Sequence, residues 1–120
     1  MQKSFRAFVY AINGLRYAFA KERNFKIEIF FAVFVFMIGL ILKLSSMHWV
    51  LLVINICSVL AAELFNTAIE KLADISCKEI NPVIEIIKDV AAAAVLLTVL
   101  SAIICGLIIF IPYIFKLINL

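Results

Sequence analysis

The segment MHWVLLVINICSVLAAELFNTAIEKLAD, residues 47–74, decides the fold of this chain, because a long apolar run meets a set of polar residues within it. Four of those polar residues recur at helical spacing: Glu63, Asn66, Glu70 and Asp74. At about 100° per residue they cover an arc of about 80°, so they share one face of a helix. A carboxylate that faced lipid at the bilayer centre would cost roughly 2.5–3.5 kcal/mol. This polar face therefore predicts a functional site turned toward protein, water or a cation.

The composition indicates an all-α integral membrane protein. Of the 120 residues, 67% are apolar and only 16% are charged, which excludes an ordinary soluble domain. Three hydrophobic segments, 25–42, 47–73 and 90–115, predict membrane helices, and the last two are long enough to cross a core of about 30 Å. Residues 1–24 have apolar and basic side chains on opposite faces, which predicts an amphipathic surface helix. We expect a single domain over residues 1–120.

The distribution of charge predicts how the chain crosses the membrane. Lysines and arginines concentrate before the first hydrophobic segment and between the second and the third. By the positive-inside rule, the N-terminus and the loop 71–89 lie in the cytoplasm, and Lys71 and Lys78 are interpreted only as determinants of this topology. All eight acidic residues then fall on the cytoplasmic side. This placement favours a reaction with a cytosolic reagent over a transport path, along which polar groups are usually spread through the membrane depth.

Two other functions remain open from the residues alone. A small oligomeric transporter or channel could use Glu63 as an ion site, and a nonenzymatic assembly protein could use the polar face to join subunits by hydrogen bonds. The chain has neither a Gly-x-x-x-x-Gly-Lys-[Ser/Thr] loop nor a Gly-x-Gly-x-x-Gly loop, so a phosphate site would be of unusual construction. His48 and Trp49 are interpreted as interfacial residues, and the cysteines as reduced packing residues.

Three short runs carry a family resemblance: ELFNTAIEKLAD at 63–74, KDVAAAAV at 88–95 and ERNFK at 22–26. Together they resemble the prokaryotic diacylglycerol kinase and undecaprenol kinase family of small integral membrane lipid kinases, and the likeness covers nearly the whole chain. The resemblance implies a surface helix plus three membrane helices, assembled as a homotrimer in the bacterial inner membrane. It also implies an ATP-dependent lipid kinase that phosphorylates the primary hydroxyl of a membrane lipid, with diacylglycerol and undecaprenol both left open as the substrate.

The chemistry of phosphoryl transfer fits the polar residues. ATP-dependent transfer to a hydroxyl needs Mg²⁺, a group that receives the proton and cations for the phosphates. The resemblance assigns Glu63 as the general base, and Glu22 and Glu70 as the Mg²⁺ ligands. It places the following residues near ATP: Lys3, Tyr10, Glu22, Glu70, Glu79, Ile80, Asn81, Lys88 and Asp89. It places five residues near the lipid substrate: Arg16, Asn24, Glu28, Glu63 and Asn66.

Overall fold

A computed structural model describes residues 2–119 as four helices and no strand. The helices are α1 (Gln2–Lys21), α2 (Arg23–Leu42), α3 (Ser46–Ser76) and α4 (Pro82–Ile118). The last three are long and apolar enough to cross a membrane. The all-α prediction and the number of membrane helices are thereby confirmed.

A single extended residue separates α1 from α2. Glu22 has φ −101° and ψ 114°, and its side chain makes no capping hydrogen bond. Its N–H donates to the Ala18 carbonyl at 2.8 Å and its own carbonyl accepts from the Lys26 N–H at 3.2 Å. The predicted surface helix 1–24, whose first residue lies outside the described part of the chain, therefore ends at Lys21. No Gly or Pro lies at this junction to signal the break in the sequence.

The helices α3 and α4 extend well past the predicted segments 47–73 and 90–115. Most of the predicted loop 71–89 is therefore helical, and only residues 77–81 connect the two helices. The start of α4 has a local cause, because the Asn81 Oδ1 accepts from the Val83 N–H at 2.9 Å and Pro82 occupies the first turn. At about 1.5 Å per residue the two helices are about 46 and 55 Å long, longer than a hydrocarbon core of about 30 Å.

The turn between α2 and α3 is compact and tightly capped. Lys43 adopts the left-handed conformation with φ 55°, and the Lys43 and Leu44 N–H groups donate to the Leu40 and Gly39 carbonyls, each at 3.3 Å. The Tyr113 hydroxyl of α4 reaches this turn, where it accepts from the Ser45 N–H at 3.1 Å. This contact fastens the turn to the third membrane helix.

Trp49 and Gly39 pack against each other next to that turn. The Phe36 and Trp49 ring centroids lie 4.9 Å apart, and a Cβ placed on Gly39 would approach the Trp49 Cη2 to 2.9 Å and the Leu44 Cδ1 to 3.0 Å. Trp49, predicted as an interfacial residue, thus also packs against α2. The glycine is required here because two helices approach closely.

We predict that Gly39→Ala lowers the free energy of unfolding by about 1–3 kcal/mol, because the added methyl group overfills the contact with the indole ring. Gly106→Ala is the matched control, since no neighbouring atom lies within 4 Å of a Cβ at that position. The measurement is thermal unfolding in detergent micelles, followed by the fluorescence of Trp49, the single tryptophan. Equal stability of the two variants would contradict this packing.

Candidate active site

The first part of the predicted polar face of α3 is buried within the helix bundle. Glu63 is 3% exposed and Asn66 is 7% exposed, and Thr67 beside them is also buried. The solvent exposure of this face increases toward the end of α3, where Glu70 is half-buried and Asp74 is exposed. A buried carboxylate in an otherwise apolar helix requires polar neighbours.

Those neighbours come from α2, from the junction before it and from α3 itself. Glu22, Asn24 and Glu70 lie near enough to act electrostatically on the Glu63 carboxylate, and so does Glu28. Four carboxylates thus converge, and we call Glu22, Glu28, Glu63 and Glu70 the acidic cluster. Mutual repulsion among them makes the cluster a favourable place for a cation or for a group that carries a proton.

Two buried oxygen atoms in this region have no hydrogen-bond partner within the described residues. The Asn66 Nδ2 donates to the Glu70 Oε1 at 3.2 Å, but the Asn66 Oδ1 and the Glu28 Oε2 are both unpaired. Buried polar atoms are nearly always satisfied in proteins, so unpaired acceptors point to a donor or a cation that binds there. A lipid hydroxyl and a metal-bound water are both of the right chemistry.

Two lysines balance part of the negative charge. The Lys88 Nζ of α4 pairs with Asp74 of α3 and also lies near Glu70. The Lys71 Nζ lies 3.9 Å from the Glu22 Oε1. Lys88, which the resemblance places near the nucleotide, thus lies next to the acidic cluster. The contact between Lys71 and Glu22 was not predicted, because the sequence pattern indicated only a role for Lys71 in topology.

Several predicted site residues lie apart from the acidic cluster. Within residues 2–119, no side-chain hydrogen bond or ion pair joins the cluster to the α1 residues Lys3, Tyr10 and Arg16, all exposed, or to Asp89. In the connecting loop, Glu79 and Ile80 are exposed, and the Asn81 side chain caps α4. Roles for these residues at a nucleotide or a lipid remain predictions.

An apolar groove of about 550 Å³ begins at the acidic cluster and runs along the membrane helices. Its walls come from α2, α3 and α4 and are almost wholly apolar, with Glu28 as the charged residue among them. The polar atoms of Asn55 in the groove are already paired, because its Nδ2 donates to the Leu51 carbonyl at 2.9 Å and its Oδ1 accepts from the Ser101 hydroxyl at 3.1 Å. The groove has the shape and polarity to hold a lipid chain beside a carboxylate.

The donor set fits a magnesium ion that is shared with a nucleotide. Residues 2–119 contain no group of three or more His, Cys, Asp or Glu side chains arranged to hold a metal. Mg²⁺ bound with nucleotides usually takes only one or two carboxylates, and phosphate and water complete its octahedral shell. Glu22 and Glu70, both near Glu63, supply hard oxygen donors of that kind.

Comparison with known proteins identifies the family. The family description "Prokaryotic diacylglycerol kinase" matches residues 9–110. The diacylglycerol kinase of Synechocystis sp. is 39% identical over 101 residues, which cover 83% of this chain and 58% of that protein. The undecaprenol kinase of Bacillus subtilis is 33% identical over 112 residues, 93% of this chain and 91% of that protein. A diacylglycerol kinase of Helicobacter pylori is 30% identical over 96 residues, 80% and 75% of the two chains.

These matches agree with the resemblance carried by residues 22–26, 63–74 and 88–95, which all fall inside the matched region. Of the three functions considered from the sequence, they support the lipid kinase over the transporter or channel and over the nonenzymatic assembly protein. The buried carboxylate on α3, the neighbouring carboxylates and the apolar groove are consistent with a reaction on a membrane lipid. The chain therefore belongs to the prokaryotic diacylglycerol kinase family and is a lipid kinase.

Proposed function

We propose that the protein transfers the γ-phosphoryl group of ATP to the primary hydroxyl of a membrane lipid at the cytoplasmic interface. The lipid is diacylglycerol, giving phosphatidic acid, or undecaprenol, giving undecaprenyl phosphate. The observation that carries this proposal is the buried Glu63 carboxylate, which lies near Glu28 at the polar end of the apolar groove. A lipid whose chain occupies the groove would present its hydroxyl to these carboxylates.

Glu63 acts as the general base. Its burial keeps bulk water away from the carboxylate that accepts the proton. Glu28 and Asn24 flank the hydroxyl, and the unpaired Glu28 Oε2 is an acceptor available to it. Arg16, carried by α1, stays near the lipid headgroup in this arrangement. The residues thus orient the hydroxyl and receive its proton as the phosphoryl group is transferred.

The other end of the acidic cluster holds the nucleotide. Glu22 and Glu70 would hold a Mg²⁺ ion, which when bound would supply positive charge to neutralise the phosphates. Asn66 fixes the Glu70 carboxylate through its amide hydrogen bond. Lys88, near the start of α4, supplies a point charge for the phosphates, and its ammonium group pairs with Asp74 of α3. In this arrangement the γ-phosphoryl group would lie next to the lipid hydroxyl, whose proton Glu63 accepts.

The remaining nucleotide contacts come from exposed elements. Lys3 and Tyr10 of α1, Glu79, Ile80 and Asn81 of the connecting loop and Asp89 of α4 enclose the adenosine part of ATP. Because one copy leaves most of these side chains open, we propose that a neighbouring copy completes each site in a homotrimer. The wide exposure of apolar side chains on all three membrane helices supports contacts with lipid and with other copies.

In this proposal, the cytoplasmic side of the membrane carries both the acidic cluster and residues 77–81. The basic residues before α2 and around the α3–α4 connection support that orientation. ATP is then available from the cytosol, and the lipid arrives from within the bilayer. The enzyme needs no path for ATP across the membrane.

The proposed function predicts a radiolabelled lipid product. The purified protein is offered diacylglycerol or undecaprenol with γ-labelled ATP and Mg²⁺, and we expect one of the two to be phosphorylated at least tenfold faster than the other. In sealed vesicles, labelling should occur only when ATP contacts the face that carries residues 77–81. Labelling from the opposite face would contradict the topology, and a labelled protein without a labelled lipid would contradict the reaction.

We predict that Glu63→Gln lowers turnover by about 10²–10⁴-fold, because an amide preserves the shape of the side chain but cannot accept a proton. Binding of a fluorescent ATP analogue should stay within a factor of about two of the parent. Glu85→Gln, in the first turn of α4, serves as the control that removes an acidic group outside the acidic cluster. Near-parental turnover of Glu63→Gln would exclude Glu63 as the base.

We predict that Glu22→Gln and Glu70→Gln each raise the Mg²⁺ concentration for half-maximal rate by about tenfold, because each removes an anionic oxygen ligand. Mg²⁺ titration at saturating lipid measures the effect. Glu85→Gln, an acidic residue in the first turn of α4 and outside the acidic cluster, is the matched control, and its titration should follow that of the parent. Parental Mg²⁺ dependence in both cluster variants would show that other groups hold the ion.

A further inference from the structure

Lys71 occupies an unexpected position beside the proposed cation site. It follows Glu70 directly on α3, and its Nζ lies 3.9 Å from the Glu22 Oε1. Glu22 has no capping role at the start of α2, so its carboxylate is free of local hydrogen bonds to the helix. The ammonium group of Lys71 is therefore the cation that this carboxylate meets.

Tyr17 defines the other side of the Lys71 ammonium group. The Nζ lies 5.3 Å from the centroid of the Tyr17 ring, within the range of a cation–π contact. Tyr17 belongs to α1 and Glu22 to the junction, so the ammonium group of Lys71 on α3 contacts two other parts of the chain. The Lys71 side chain is more than half exposed, which leaves it free to move away when a stronger cation arrives.

The negative charge of the acidic cluster is only partly balanced by lysines. Two ion pairs balance acidic side chains within the described residues, Lys71 with Glu22 and Lys88 with Asp74. Glu28, Glu63 and Glu70 have no ion-pair partner of their own in residues 2–119. In the absence of a divalent ion, Lys71 is the positive charge nearest to Glu22.

We propose that Lys71 is the resident counter-ion of the cation site, which Mg²⁺ must displace from Glu22 in order to bind. The inference rests on the proposed function in one respect, that Glu22 is a metal ligand. Lys71 is thus a positioning residue that tunes the affinity of the site for divalent cations. It holds the Glu22 carboxylate until the metal and its nucleotide arrive.

This role has a consequence of definite sign. A competing charge lowers the affinity for a divalent cation, so its removal should make the metal bind more tightly. A lysine that only fastened α1 to α3 would have the opposite effect, because its loss would leave Glu22 less ordered and the metal more weakly held. The direction of the change therefore separates a counter-ion from a structural tether.

The test is a Mn²⁺ titration of the full-length protein in detergent micelles without nucleotide, in which the electron paramagnetic resonance signal reports free Mn²⁺. Lys71→Met should bind Mn²⁺ about three- to tenfold more tightly than the parent, allowing for solvent screening at an exposed site. Lys71→Arg, which keeps the charge, should stay within about twofold. Lys78→Met removes the same charge from the connecting loop and is the control for a general effect of net charge.

Combining variants tests the site of action. In a Glu22→Gln background, Lys71→Met should no longer change Mn²⁺ affinity, because the two residues act on one another. Unchanged or weaker Mn²⁺ binding in Lys71→Met would overturn the counter-ion role, and so would failure of both the parent and Lys71→Met to bind the ion. Equal Mn²⁺ binding by the parent and Glu22→Gln would instead remove Glu22 from the metal site, and the inference with it. Trp49 fluorescence confirms that each variant is folded.

Discussion

The burial of the Glu63 carboxylate within a bundle of membrane helices is the constraint on which the rest of the site depends. A charge in that position is costly unless protein groups, water or a cation compensate for it. Among its neighbours, Asn24 can stabilise the Glu63 carboxylate, whereas Glu22, Glu28 and Glu70 add like charge, so the cluster favours a cation or a proton. In the proposed reaction, the same residues would supply the general base and the ligands of the metal ion.

The length of α3 and α4 allows the site to reach both lipid and water. A lipid hydroxyl sits near the membrane interface, whereas ATP stays in water, so the site must reach both. Because α3 and α4 exceed the thickness of a hydrocarbon core, each can cross a membrane and still extend into water. The exposure of the polar residues of α3 also increases along the helix, from the buried Glu63 to the exposed Asp74.

The parts of the structure that follow from local spacing could be predicted from the sequence. The three hydrophobic segments and the polar face on α3 come directly from apolar runs and helical periodicity, and the Asn66–Glu70 hydrogen bond joins residues four positions apart. The division between the surface helix 1–24 and the segment 25–42 was predicted, but the position of the break at Glu22 was not, because no Gly or Pro marks it. Lys71 and Glu22 are far apart in the chain, so their contact depends on how the helices pack, which spacing alone does not reveal.

The single extended residue at Glu22 makes α1 a lever whose pivot lies at the acidic cluster. Rotation about a pivot moves atoms in proportion to their distance from it, and Lys3 lies about 28 Å along the helix from Glu22 at about 1.5 Å per residue. A tilt of α1 about Glu22 would therefore carry Lys3 and Tyr10 through a wide arc, while the Glu22 backbone would move little. The positions of the carboxylates would then depend little on the tilt of α1, which would bring Lys3 and Tyr10 toward them or away from them.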